Sequence, residues 1–261
     1  MTHITHNKGK ILIKNIFLNC NFFSRKESWT ILKELKTNTI PRIGNVSFIN
    51  GSLKKKLTIG EIKNNNVKSA FLGLYDFPNT ICVSINEEIV HGIPSNRKLK
   101  NGDIISIDAG VIVSGFYSDH AKTFAVGDCA QKETNLLSDT LESLNLAISK
   151  CTNGNFVGDI GNAVEKFITP KGYGLVRNYT GHGIGRTLHE PPQVPNFGVP
   201  GTGAKLVPGM TLAIEPMVNI GKDETKLCDD GWTVVTSDGA KSAHFENTVL
   251  ITDSKPEVLT S

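Results

Sequence analysis

The sequence predicts an α+β fold, because short β-branched runs bounded by Gly and Pro alternate irregularly with two amphipathic helical stretches. A parallel doubly wound sheet would need regular strand–helix alternation, which is missing. Residues 81–85 read as a short strand, and 103–113 and 116–126 as two longer ones joined by Ser114-Gly115 as a tight hairpin turn. Residues 132–151 carry Leu137, Leu141, Leu144, Ile148 and Cys151 at three- and four-residue steps, which predicts a helix with those side chains inward. A second helix is expected over 158–171, with Ile160, Val164, Phe167 and Ile168 inward, ended by the Pro170 to Gly174 punctuation. Residues 211–218, 232–236 and 245–252 read as further strands.

The first 66 residues form a divergent basic segment, and 67–261 the legible body. In the segment, 28–36 could make a short helix and Thr58 with Glu61 resembles a capping box, but Asn64-Asn65-Asn66 would end any helix there. Residues 1–68 hold 13 Lys+Arg against 3 Asp+Glu, a formal +10, so the remainder is −7 out of a total of +3. No stretch approaches the roughly 18 uninterrupted apolar residues of a membrane-spanning helix; the greasiest, 11–23, is broken by Lys14, Asn15, Asn19 and Asn21. Five widely spaced cysteines without a CxxC (Cys20, Cys82, Cys129, Cys151, Cys228) argue against a disulfide framework and a thiolate zinc site. A cytoplasmic location without membrane association is expected.

Acids and histidines carry the functional signal. If Ser114-Gly115 is the turn, Gly110 faces Asp119, and Asp108 lies diagonally on the same face. Such neighbours have Cα atoms about 7–8 Å apart, close enough to share ions about 3.5–4 Å apart. Taken singly, the pair is a weak signal and reads more readily as a strand end and a turn cap. Three further segments place polar groups in apolar or glycine-rich contexts. They are Gly181-His182-Gly183-Ile184-Gly185, followed by His189-Glu190-Pro191; Glu215 within Leu212 to Met217; and Glu246 beside Phe245. A free carboxylate on an apolar strand is costly to bury. Four carboxylates and one imidazole repel or starve unless cations join them, and that donor set suits Mn, Fe, Co or Zn.

In order along the chain stand Phe77-Pro78, Ser84-Ile85-Asn86-Glu87-Glu88, Val90-His91-Gly92-Ile93-Pro94, Asp103 to Asp108 and Gly115 to Asp119. After them come the GHGIG segment through His189-Glu190-Pro191-Pro192, Pro208-Gly209-Met210, Ile214-Glu215-Pro216-Met217, Asp230-Gly231-Trp232 and Phe245-Glu246-Asn247-Thr248. Together these resemble the type I methionine aminopeptidases, from about Ser69 to Leu259. The resemblance implies the pita-bread fold, a curved antiparallel sheet with helices on its outer face. It also implies two divalent ions (Co, Mn, Fe or Zn) held by Asp108, Asp119, His182, Glu215 and Glu246, with Asp119 and Glu246 bridging.

By the same resemblance an ion-activated hydroxide attacks the first peptide bond of a nascent polypeptide. His189 faces the developing oxyanion, His91 the scissile nitrogen, and Glu215 carries protons. Phe77, Cys82 and Trp232, with Phe71 and Leu188, would form the methionine pocket, and a small second residue is expected. Prolidases share the five-ligand pattern but usually have an extra N-terminal domain for which this chain lacks room, and Asp-Gly-Trp232 is similar to the type I enzymes.

Two departures stand out. Asn247 occupies a position where the family usually has His, and His244, two residues before Glu246, should share its strand face. His120 should point away from Asp119's face, in a structural or surface role. The basic segment could touch ribosomal RNA or act as a transit peptide, and a monomer is expected. The rival reading is a silent or truncated relative that acts as a binding protein.

Overall fold

The computed structural model describes residues 68–260 together with three short upstream strands, Arg42–Ile43, Val46–Ile49 and Ser52–Leu53, which pair with one another as an antiparallel sheet. The expected helix at 28–36 and the Thr58–Glu61 motif lie outside the described residues. Every strand pairing among the described residues is antiparallel.

The hairpin has the register its turn residues predict. Val113 pairs with Phe116 and Val111 with Ser118, and farther from the turn Asp108 pairs with Ala121 and Ile104 with Ala125. Ser114 (φ 52°) and Gly115 (φ 79°) both have positive φ, the type I′ pattern whose twist matches antiparallel strands. Each long predicted strand is nevertheless two segments. Ile104–Asp108 and Val111–Val113 are separated at Ala109-Gly110, and Phe116–Ser118 and Ala121–Ala125 at Asp119-His120. The same interruption falls at Glu215-Pro216, between Thr211–Ile214 and Met217–Asn219, and at Phe245-Glu246, between Ser242–His244 and Asn247–Leu250. Where proline follows Glu215 the cause is plain, since it brings no N–H to a ladder.

Behind the second half of the chain lie helix α1 (Gln131–Ser149) and helix α2 (Val157–Ile168), which pack on each other. Their inward side chains share one core with Leu212, Ile214, Val218, Phe245 and Val249. Asp159 Oδ2 accepts the Phe156 N–H at 2.8 Å and steadies the start of α2.

The expected inner face of α1 needs correction. Leu136, Thr140, Ser143, Leu144 and Ala147 are buried, whereas Leu141 is 41% exposed and Leu137 and Ile148 are only partly covered. Small side chains let α1 sit close to its neighbours. Its buried hydroxyls stay satisfied, Thr140 Oγ1 donating to Leu136 O at 2.7 Å and Ser143 Oγ to Thr140 O at 2.7 Å. Leucine periodicity alone is blind to such a face.

The two halves are stitched beside the interruptions. Thr248 Oγ1 accepts the Asp119 N–H (2.9 Å) and donates to Asp119 O (2.8 Å), while the Glu246 N–H donates to Ala121 O (2.9 Å). His120 is buried, not on the surface, and its Nδ1–H donates to Glu246 O at 2.6 Å, a structural role. The four cysteines among the described residues are free thiols. None of the described helices is long and apolar enough to cross a membrane.

Candidate metal centre

All ten residues singled out for the site line one cavity of about 260 Å³, with Phe71 and Leu188. Asp108 ends its strand, and Asp119 follows Ser118 across the hairpin. His182 is the middle residue of the strand Gly181–Gly183, which lies inside a five-stranded sheet. A Cβ on Gly181 would come within 2.4 Å of Ala213 O, and one on Gly183 within 2.3 Å of Pro191 O. Glycine on each side is therefore what allows the neighbouring strands to close around this imidazole.

His182 Nδ1 donates to its neighbour Gly183 O at 2.9 Å, so the neutral ring presents the bare lone pair of Nε2, 3.6 Å from Glu215 Oε1. Donor atoms of Asp119, His182 and Glu246 lie within 4.8 Å of one another.

The electrostatics of this cluster favour bound positive charge. Burial raises the carboxyl of Asp119 to about 7. Burial first and neighbouring carboxylates second hold Asp108, Glu215 and Glu246 well above the usual carboxylate range. Burial also lowers the imidazoles, His91 and His182 to about 4 and His244 to about 3. Asp108 Oδ1 and Glu246 Oε1 are buried and make no hydrogen bond. Orphaned carboxylate oxygens beside a bare imidazole nitrogen are donors in need of a hard-to-borderline cation, so these residues fit a divalent metal.

Around the donors the cavity is apolar. Phe71, Phe77, Cys82 and Leu188 belong to one buried cluster, with Trp232 edge-on to Phe77 at 5.1 Å between ring centroids. His91 sits at φ 60°, outside the usual range for a residue with a side chain, with its ring edge-to-face against Tyr179 at 5.8 Å. His189 is exposed; it meets His182 edge-to-face at 4.5 Å and stacks on Tyr75 at 6.4 Å.

Leu74, Tyr75 and Val90 also line the cavity, and sequence reasoning missed them. The aromatic-rich run from Phe71 to Phe77 was the available signal for the first two. Asn247 does not line it: its amide donates to Thr260 O and lies 3.2 Å from His120 Nδ1. His244 does line it, beside Glu246 as strand alternation predicts.

Residues 53–253 match the model of metallopeptidase family M24. The methionine aminopeptidase of Clostridium perfringens is 49% identical over 199 residues, covering 76% of this chain and 80% of that one. The chain belongs to the type I methionine aminopeptidases of family M24. Its Escherichia coli K12 counterpart is 45% identical over 200 residues, 76% of each chain. Among solved structures, the methionine aminopeptidase of Thermotoga maritima superposes with a TM-score of 0.79 at 38% identity, covering 92% of this chain and 98% of that one. A prolidase from Pyrococcus horikoshii shares the fold at 21% identity, with a TM-score of 0.63 over 92% of this chain and 63% of its own. The M24 architecture is the pita-bread fold that the motif order implies, and a divalent metal is its cofactor.

Proposed function

We propose that this M24 chain removes the N-terminal methionine of nascent polypeptides with two divalent ions (Co, Mn, Fe or Zn), favouring a small second residue. The observation that supports the reading is that four carboxylates and one imidazole, all buried or half-buried, open into an apolar cavity of about 260 Å³. That space suits one unbranched thioether side chain, and sulfur packs well against the aromatic edges of Phe77 and Trp232.

In this reading Asp108, Asp119, His182, Glu215 and Glu246 would hold the ions. Bound there, the ions supply a water acidified to near neutrality and a Lewis acid for the carbonyl. His189, at the lip, donates a hydrogen bond to the carbonyl oxygen as charge develops on it. Glu215 accepts a proton from the attacking water and returns it. His91 hydrogen-bonds the scissile nitrogen and helps it leave protonated. Phe71, Phe77, Cys82, Leu188 and Trp232 grip the methionine side chain and keep bulk water away.

The work is cytoplasmic and done by a monomer, and the basic segment 1–66 meets ribosomal RNA. A silent binding relative is not favoured, because the donor set is complete.

The direct test is release of Met from Met-Ala-Ser with excess Mn or Co, and no release of Pro from Pro-Ala-Ser. No release with metal shown to be bound would overturn the assignment. Ribosome co-sedimentation should fall after deletion of residues 1–56; unchanged sedimentation would remove the RNA contact.

A further inference from the structure

The roles above leave one buried imidazole in the cavity without a task. His244 ends the strand Ser242–His244, is 2% exposed, lines the cavity, and its Nε2 makes no hydrogen bond. That nitrogen stands 3.5 Å from Glu215 Oε2, while His182 Nε2 stands 3.6 Å from Glu215 Oε1. One carboxylate is thus bracketed by two imidazoles, one at each oxygen.

The two brackets are not equivalent. His182 spends its Nδ1 proton on Gly183 O and turns a lone pair inward, where donor atoms of Asp119 and Glu246 lie within 4.8 Å. His244 belongs to no such group of three among the described residues. A nitrogen with one carboxylate beside it and no second donor in ligand range is suited to donate a hydrogen bond.

We propose that His244 is a positioning residue whose Nε2–H donates to Glu215 Oε2 and thereby holds Oε1 toward His182 and the cation site. The inference rests on the aminopeptidase reading and deepens it. Glu215 sits at a strand interruption, followed by Pro216, so its side chain needs an external hold. A group asked both to ligate and to carry a proton loses effectiveness if it rotates between the two tasks. The 3.5 Å separation is within a few tenths of an ångström of a formed bond. Removing a hydrogen-bond partner of a ligating group typically costs about 10–100-fold in metal affinity.

The test uses the full chain loaded with Zn²⁺, which is diamagnetic. A long-range ¹H–¹⁵N spectrum, with His244 assigned by its loss in His244→Gln, should show the Nε2–H tautomer. An Nδ1–H tautomer would make Nε2 an acceptor or a ligand and overturn the proposal. In chelator competition, His244→Ala should bind Zn²⁺ about 10–100-fold more weakly, and His244→Gln, which restores an N–H donor, should recover to within about threefold. Wild-type affinity in the alanine variant, or no recovery with glutamine, also overturns it. If the alanine variant does not fold, the wild-type spectrum and the glutamine affinity decide. Methionine release by the wild type separates the levels: an active enzyme with Nδ1–H at His244 defeats only this inference, and an inactive metal-bound one defeats both.

Discussion

Asparagine at position 119 should make the metal-free protein more stable and the metal-loaded protein less so. In the folded, metal-free chain burial raises the Asp119 carboxyl from 3.8 to about 7. A raised carboxyl is costless below its unfolded value, costs progressively more as pH climbs from 3.8 to 7, and costs its full amount above 7. At about 1.36 kcal/mol per unit, the penalty is about 4 kcal/mol at pH 8 and about 1.6 kcal/mol at pH 5. Relaxation and water entry around the ionised group reduce these to roughly half. Asn keeps an Oδ1 to accept the His120 N–H, now 3.0 Å away, and carries no charge.

Urea unfolding in EDTA should therefore find Asp119→Asn more stable than wild type by about 2 kcal/mol at pH 8 and by about 1 kcal/mol or less at pH 5. Comparing variant with wild type at each pH cancels the histidines, whose lowered values act in the opposite sense below pH 6.5. With Mn added the order should reverse, because only wild type keeps the carboxylate that neutralises the ions. A variant no more stable than wild type at pH 8 without metal would refute the electrostatic argument.

Three other outcomes follow from the same geometry. His91→Ala should keep metal stoichiometry and lose turnover, whereas Asp119→Ala should lose at least one ion by elemental analysis; equal metal loss contradicts the separate roles. Thr248→Val deprives the buried Asp119 N–H of its acceptor and should cost about 2 kcal/mol, read as a melting temperature lowered by about 4–8 °C; an unshifted melt would show that the stitch is dispensable. Trp232→Ala removes the edge contact on Phe77 and should lower kcat/KM for Met-Ala-Ser at least about tenfold, or about 1.4 kcal/mol, with metal content unchanged; wild-type kinetics would exclude it from the methionine pocket.

Local chemistry made much of this fold legible. Ser114-Gly115 fixes a turn, the turn fixes a register, and the register puts Asp108 and Asp119 on one face. What stayed hidden depends on partners distant in sequence. The inner face of α1 was misjudged because it is built on Thr140, Ser143 and Ala147, whose burial is decided by what packs on them. The link from Asp119 to Thr248 spans 129 residues and leaves no local trace. Tyr75 reaches the cavity through a backbone at φ 49°, which no propensity would assign to tyrosine.

The strand interruptions at Asp119, Glu215 and Glu246, and the one just beyond Asp108, have a consequence for how the gene can drift. Each of these carboxylates is flanked by a paired segment on either side. An extra codon within such a segment would displace one donor by about 3.3 Å and send alternate side chains to the opposite face. Extra codons at the Ser114-Gly115 tip only lengthen a loop. Length variation should therefore be accepted at hairpin tips and rejected within a few residues of each carboxylate, a pattern that a deletion-and-insertion scan for methionine release would display directly.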